Sequence, residues 1–194
     1  MRVSVRNSAP ALLLLLAACS GETPTAPPAE VTGSTAAGAL ARAQVPMKGT
    51  YEGTGVFTEP PASCPGFQSV FEGVGQETHT GRYALSHTTC TVPIDATNSS
   101  FTGAFTKTAA NGDLITGTFA GATQQVQFPG PSSPIGIFAI TGTITFTGGT
   151  GRFEGASGSQ QMEGTQWTDF SQAGFPSRMV LEFDGTISSV GSLR

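Results

Sequence analysis

Beyond its first twenty residues, this 194-residue chain has four side chains suited to a soft metal: Cys64, Cys90, His79 and His87. Zinc sites draw their ligands from paired spacings such as Cys-x2-Cys. None occurs here, so no metal and no cofactor is expected. The two histidines, one in a turn and one in a strand, read as surface groups. Glu182 and Asp184 stand two apart, as paired carboxylates for acid–base work would if one of them were desolvated. They lie opposite Leu181 and Phe183, which makes theirs the wet face of a strand. Asp113 follows Asn111-Gly112 and is accounted for by turn chemistry. Arg152 could clamp a carboxylate ligand or pair with Glu154 or another acid, but its setting in a glycine turn favours a structural role. The hydrolase elbow G-x-S-x-G is missing, because Gly155-Ala156-Ser157-Gly158 has the wrong spacing.

The glycine turn itself, Gly148, Gly149, Gly151, Arg152, Phe153 and Gly155, follows a strand, as phosphate-binding turns do. A dinucleotide fingerprint would need glycine at 154, where Glu154 stands, and a helix after it; GASGSQQMEGTQW is no helix former. No lysine follows in Walker spacing. These glycines therefore read as a fold motif that needs tight turns and positive φ.

The elements that position these residues are strands. In 140–147, Ile140, Gly142, Ile144 and Phe146 share one face and four threonines share the other, the period of two of a half-buried strand. The same alternation predicts strands over Lys48–Glu59, Gln68–Gln76, Arg82–Val92, Ser100–Thr108, Leu114–Ala122, Ile135–Thr147, Ser157–Thr168 and Arg178–Ser188. Tyr51, Gly53, Gly55 and Phe57 align on the first, and Pro60-Pro61 ends it. Asn111-Gly112 is the strongest hairpin signal. No helical period persists over this region. Eight such strands favour an all-β fold, a small closed antiparallel eight-stranded β-barrel, because closure removes sheet edges and inward glycines let a small barrel bend.

Thirteen acidic and nine basic residues leave a net charge of −4, with no basic footprint for nucleic acid. At the other end of the chain, Arg2 and Arg6 precede an apolar run, the layout of an export signal too short to remain as a membrane span. The run closes on Leu16-Ala17-Ala18-Cys19, which resembles the lipobox of bacterial lipoprotein precursors. The resemblance implies a signal peptide over 1–18 and a palmitate-type lipid anchor on Cys19. With Ser20 after it, it implies the outer membrane if the host has two. Residues 19–45, rich in proline and small side chains, read as a flexible linker, and 46–194 as the barrel domain. With Cys19 lipidated and the chain exported, a Cys64–Cys90 disulfide is the simplest account of the remaining cysteines, two reduced thiols packed apart being the alternative.

Thr78-His79-Thr80-Gly81-Arg82, Ala109-Ala110-Asn111-Gly112-Asp113-Leu114 and above all Thr147-Gly148-Gly149-Thr150-Gly151-Arg152-Phe153-Glu154-Gly155-Ala156 resemble small secreted bacterial proteins related to the allene oxide cyclase barrel, a calycin-like fold shared by dirigent proteins. The resemblance implies that barrel and no particular activity, since one fold hosts many functions. No catalytic residue of either group maps onto a matching position. The expected function is a membrane-anchored, extracytoplasmic, non-catalytic binding module for a small apolar ligand or an envelope component. The alternatives are a cyclase or isomerase by fold analogy, and a purely structural envelope protein. The state of the barrel interior discriminates among them. A buried, shifted acid in an open cavity favours the enzyme, an apolar cavity without one favours binding, and a filled interior favours structure.

Overall fold

A computed structural model of the protein describes residues 43–188. The signal segment, Cys19 and nearly all of the expected linker lie outside the described residues. Eight strands follow one another: β1 (Gln44–Thr58), β2 (Phe67–Glu77), β3 (Gly81–Pro93), β4 (Asn98–Ala109), β5 (Leu114–Gln127), β6 (Ile135–Gly149), β7 (Gly158–Asp169) and β8 (Ser177–Ser188). Each pairs antiparallel with the next, and β8 returns to β1, closing the barrel. With every connection between sequence neighbours, the loops alternate between two ends. Loops 78–80, 110–113 and 150–157 form one end, where β1 also begins. Loops 59–66, 94–97, 128–134 and 170–176 form the other.

Alternation carries through to burial. Along β8, Met179, Leu181, Phe183 and Ile187 are buried while Glu182 and Asp184 are exposed. Outside, the wall is polar, with Thr50, Glu52 and Thr54 exposed on β1 and Thr141 and Thr145 on β6. That is the reverse of the apolar-out pattern of a membrane-spanning barrel. The inward glycines do more than permit bending, because they make room for rings. Tyr51 lies over Gly53 and Gly73, so a Cβ on Gly53 would collide with the Tyr51 hydroxyl.

The first end is plugged. A 3₁₀ turn, Gly151–Phe153, places Phe153 in the core with Met47, Ile115 and Ile187, all fully buried. Burying a side chain of that size contributes about 1.5–3 kcal/mol. Beside them Lys107 and Glu77 form an ion pair of 2.6 Å with both side chains shut off from solvent. Lys107 Nζ also lies 4.9 Å from the Phe183 ring centroid and 5.0 Å from that of Tyr83.

Two strand boundaries differ from the sequence expectation by more than two residues. β1 starts four residues earlier, at Gln44, because its first residues pair with the end of β8 (Val45 with Ile187). β5 runs on to Gln127 although Gln124, Gln125 and Gln127 are polar, because its far half pairs with Ile137–Ala139 of β6 through an irregularity at Gln125/Gln127. A pairing partner, and no local preference, makes that segment a strand.

Candidate functional site

Above the plug the barrel is hollow. A cavity of about 450 Å³ opens at the second end, the scale of a small-molecule site. Its walls are mainly apolar, Leu85, Phe101, Phe119, Ile144, Met162 and Leu181 among them, and among the described residues no Asp, Glu, Lys or Arg lines it. An arc of phenylalanines surrounds the mouth. Phe67 meets Phe57 at 6.4 Å between centroids, Phe57 meets Phe175 at 6.1 Å, Phe175 meets Phe170 at 5.4 Å and Phe170 meets Phe138 at 6.3 Å. Phe67, Phe128, Phe170 and Phe175 remain exposed there. Phe175 has φ +43°, a left-handed conformation that bulky residues rarely adopt, while the neighbouring Gly174 carbonyl accepts the Phe57 N–H at 2.8 Å. That bond ties the 170–176 loop to β1 at the rim.

The floor is formed by side chains from β1, β2, β3 and β5. Tyr51 and His87 meet edge to face at 5.9 Å, and His87 stacks on Phe71 at 5.2 Å. Phe119 closes on the imidazole edge at 5.5 Å. His87 Nδ1 lies 3.2 Å from Thr89 Oγ1, but His87 Nε2 and Tyr51 Oη have no hydrogen-bond partner among the described residues. Burial lowers the His87 pKa to about 4, so the ring is neutral at physiological pH. Burial, with a smaller contribution from the Glu72 charge, raises that of Tyr51, which stays a phenol.

The residues singled out by sequence fall elsewhere. Cys64 and Cys90 are bridged with Cα atoms 5.6 Å apart, joining the 59–66 loop to β3 near the open end. Asp184 pairs with Lys48 at 2.7 Å on the exposed wall, and Glu182 is exposed beside it, so this is the wet face. Arg152 belongs to the plugged end. Its Nη2 donates to the Thr80 carbonyl at 3.3 Å, its Nε stands 3.8 Å from Asp113 Oδ2, and its guanidinium lies over Phe153.

Asp113 therefore does more than form a turn, since it also accepts the Arg152 backbone N–H at 3.3 Å. Gly151 (φ +56°) and Gly155 (φ +66°) have the positive φ expected of the motif. Gly149 is different: it is needed because Leu114 O and Phe153 leave no room for a Cβ. His79 is at the surface, with φ +70° and Nε2 3.0 Å from the Pro46 carbonyl.

His87 is the correction. Expected at the surface, it is 8% exposed and sits on the cavity floor. A signal was present, because Tyr83, Leu85, His87 and Thr89 share one face of β3, and a face shared with tyrosine and leucine points inward. Alternation aligns Tyr51 with Gly53, Gly55 and Phe57 on one face of β1, but nothing local marks its hydroxyl as lacking a partner.

Fold and site together define a class: a closed antiparallel barrel, polar outside, plugged at one end and open at the other into an apolar cavity with a small polar floor. No family model, no curated protein and no solved structure matches the chain.

Proposed function

We propose that the protein is a lipid-anchored, extracytoplasmic binding module, without catalytic activity, whose barrel holds a small apolar ligand. The observation that carries this reading is the apolar cavity of about 450 Å³ with a phenylalanine-rimmed mouth. An interior filled by side chains would have favoured the structural role. A buried carboxylate in the cavity would have favoured an acid–base enzyme, and the described lining has none. His87, at a pKa of about 4, is a poor base for chemistry near neutral pH. The anchor rests on Leu16–Cys19. β1 begins at the plugged end of the barrel, opposite the mouth.

The test is titration of the mature chain with the neutral dye N-phenyl-1-naphthylamine. Saturable one-site fluorescence enhancement is expected, and Leu181→Trp, which adds bulk to the cavity wall, should abolish it while the chain stays folded. Absence of saturable binding in the wild type, or undiminished binding in Leu181→Trp, would remove the reading. For the anchor, Cys19→Ser should yield an unlipidated precursor in the bacterial host, and normal processing with full membrane retention would refute it.

A further inference from the structure

We infer that Tyr51 and His87 form a subsite for an uncharged oxygen, a carbonyl or a hydroxyl, at the inner end of an otherwise apolar ligand. The inference rests on the cavity-binding reading and deepens it by naming which end of the ligand goes in first and what that end carries.

Three observations converge on it. Tyr51 Oη and His87 Nε2 are both buried and both without a hydrogen-bond partner among the described residues, on two side chains whose rings touch. Unmade hydrogen bonds of buried groups are costly and uncommon in folded proteins, so two of them on touching side chains call for an occupant. The site is also held in place. Tyr51 is confined over Gly53 and Gly73, while His87 is fixed by its stack on Phe71 and by the contact of Nδ1 with Thr89 Oγ1. Finally, the chemistry of the pair is selective. The phenol donates. If the Thr89 hydroxyl donates to Nδ1, then Nε2–H is a second donor and a carbonyl oxygen, with two lone pairs, suits the pair; if it accepts from Nδ1–H, Nε2 accepts from a hydroxyl.

A carboxylate is disfavoured on the same grounds. Burying a charge requires a countercharge, and among the described residues none lines the cavity. The nearest ammonium, Lys107, lies beneath the floor, against Phe105 and Phe183 and already paired with Glu77. His87 stays neutral until the pH falls to about 4, so it supplies no positive charge near neutrality.

The experiment uses the mature chain and displacement of N-phenyl-1-naphthylamine at pH 7 by four ten-carbon probes: decane, 1-decanol, 2-decanone and decanoate. The alcohol and the ketone should bind about tenfold more tightly than decane, the worth of one good buried hydrogen bond, and decanoate should bind weakest. Tyr51→Phe and His87→Phe should each erase most of that advantage, read as the ratio of alcohol or ketone affinity to decane affinity within the same variant. Equal affinities for decane, alcohol and ketone, or an advantage that survives both substitutions, would mean that water alone satisfies the pair and would overturn the inference while the binding reading stands. Decanoate as the tightest probe would overturn it as well. If dye and decane both fail to bind, the cavity-binding reading falls first and takes this subsite with it. Should either variant fail to fold, the carbonyl stretch of bound 2-decanone in the wild type decides: a shift to lower frequency supports the subsite, and an unshifted band refutes it.

Discussion

Removing one member of the Lys107–Glu77 pair should damage the barrel more than removing both. Neither side chain reaches solvent, and the ammonium and carboxylate are 2.6 Å apart. Burial pushes the Lys107 pKa below its usual value against the opposing pull of Glu77, which is the signature of a desolvated charge held by its partner. In Lys107→Met the Glu77 carboxylate keeps, among the described residues, the Thr80 hydroxyl as donor at 3.3 Å. Leaving one partner of a buried pair alone destabilises by about 3–5 kcal/mol, and this variant should fall in that range. Glu77→Gln should be milder. An amide oxygen can still accept from Lys107, the rings of Phe183, Tyr83, Phe105 and Phe146 stay within 5.7 Å of the ammonium, and a lysine whose pKa is already lowered can release its proton. Lys107→Met/Glu77→Leu should recover to within about 1 kcal/mol of wild type, because neither charge then needs solvation. Urea unfolding of the four proteins, with m-values compared, measures all three quantities. Two single variants each losing under about 1 kcal/mol, or a double variant losing the sum of the singles, would show that the pair is not the desolvated, coupled unit described here. Dye binding should persist in the double variant, because the pair lies below the cavity floor.

Other expectations follow from the same geometry. Cys64→Ser/Cys90→Ser should lower stability by about 3–4 kcal/mol in the chain-entropy model for a 26-residue separation, and unfolding of oxidised and reduced protein at the same midpoint would contradict it. His87 titrates near pH 4 folded and near 6.5 unfolded, so the unfolded state takes up the proton first as the pH falls. Stability should therefore drop progressively between about pH 6.5 and 4, by about 3 kcal/mol in all, and His87→Phe should remove that slope; an unchanged slope would assign it to other groups. Gly151→Ala forces a side chain into a positive φ and against the Asp113 carboxylate, so a loss of about 1–3 kcal/mol is expected, and a wild-type midpoint in urea would refute the turn's backbone requirement.

Much of the barrel was legible in the chain. A strand's period of two is a local property, set by side chains pointing alternately to opposite faces, so Ile140, Ile144 and Phe146 against their intervening threonines sufficed to place β6 and its inward face. The short turns, such as Asn111-Gly112, forced sequence neighbours to pair antiparallel, and the tally of strands then favoured closure. Exposure of Glu182 and Asp184 followed from the same alternation.

What local pattern could not decide is what meets across the barrel. Tyr51 and His87 come from β1 and β3 and touch only because β2 between them is curved into a wall, and Glu77 and Lys107 meet across β3 in the same way. The run Gln124–Gln127 became strand because β6 offered it a partner. The cavity is the least local feature of all. Its volume is the difference between the space enclosed by eight closed strands and the summed volumes of the inward side chains, including glycines such as Gly53 and Gly73 whose vacancy is taken up by Tyr51. Alternation identifies which residues face inward, and only their three-dimensional packing decides whether they fill the interior.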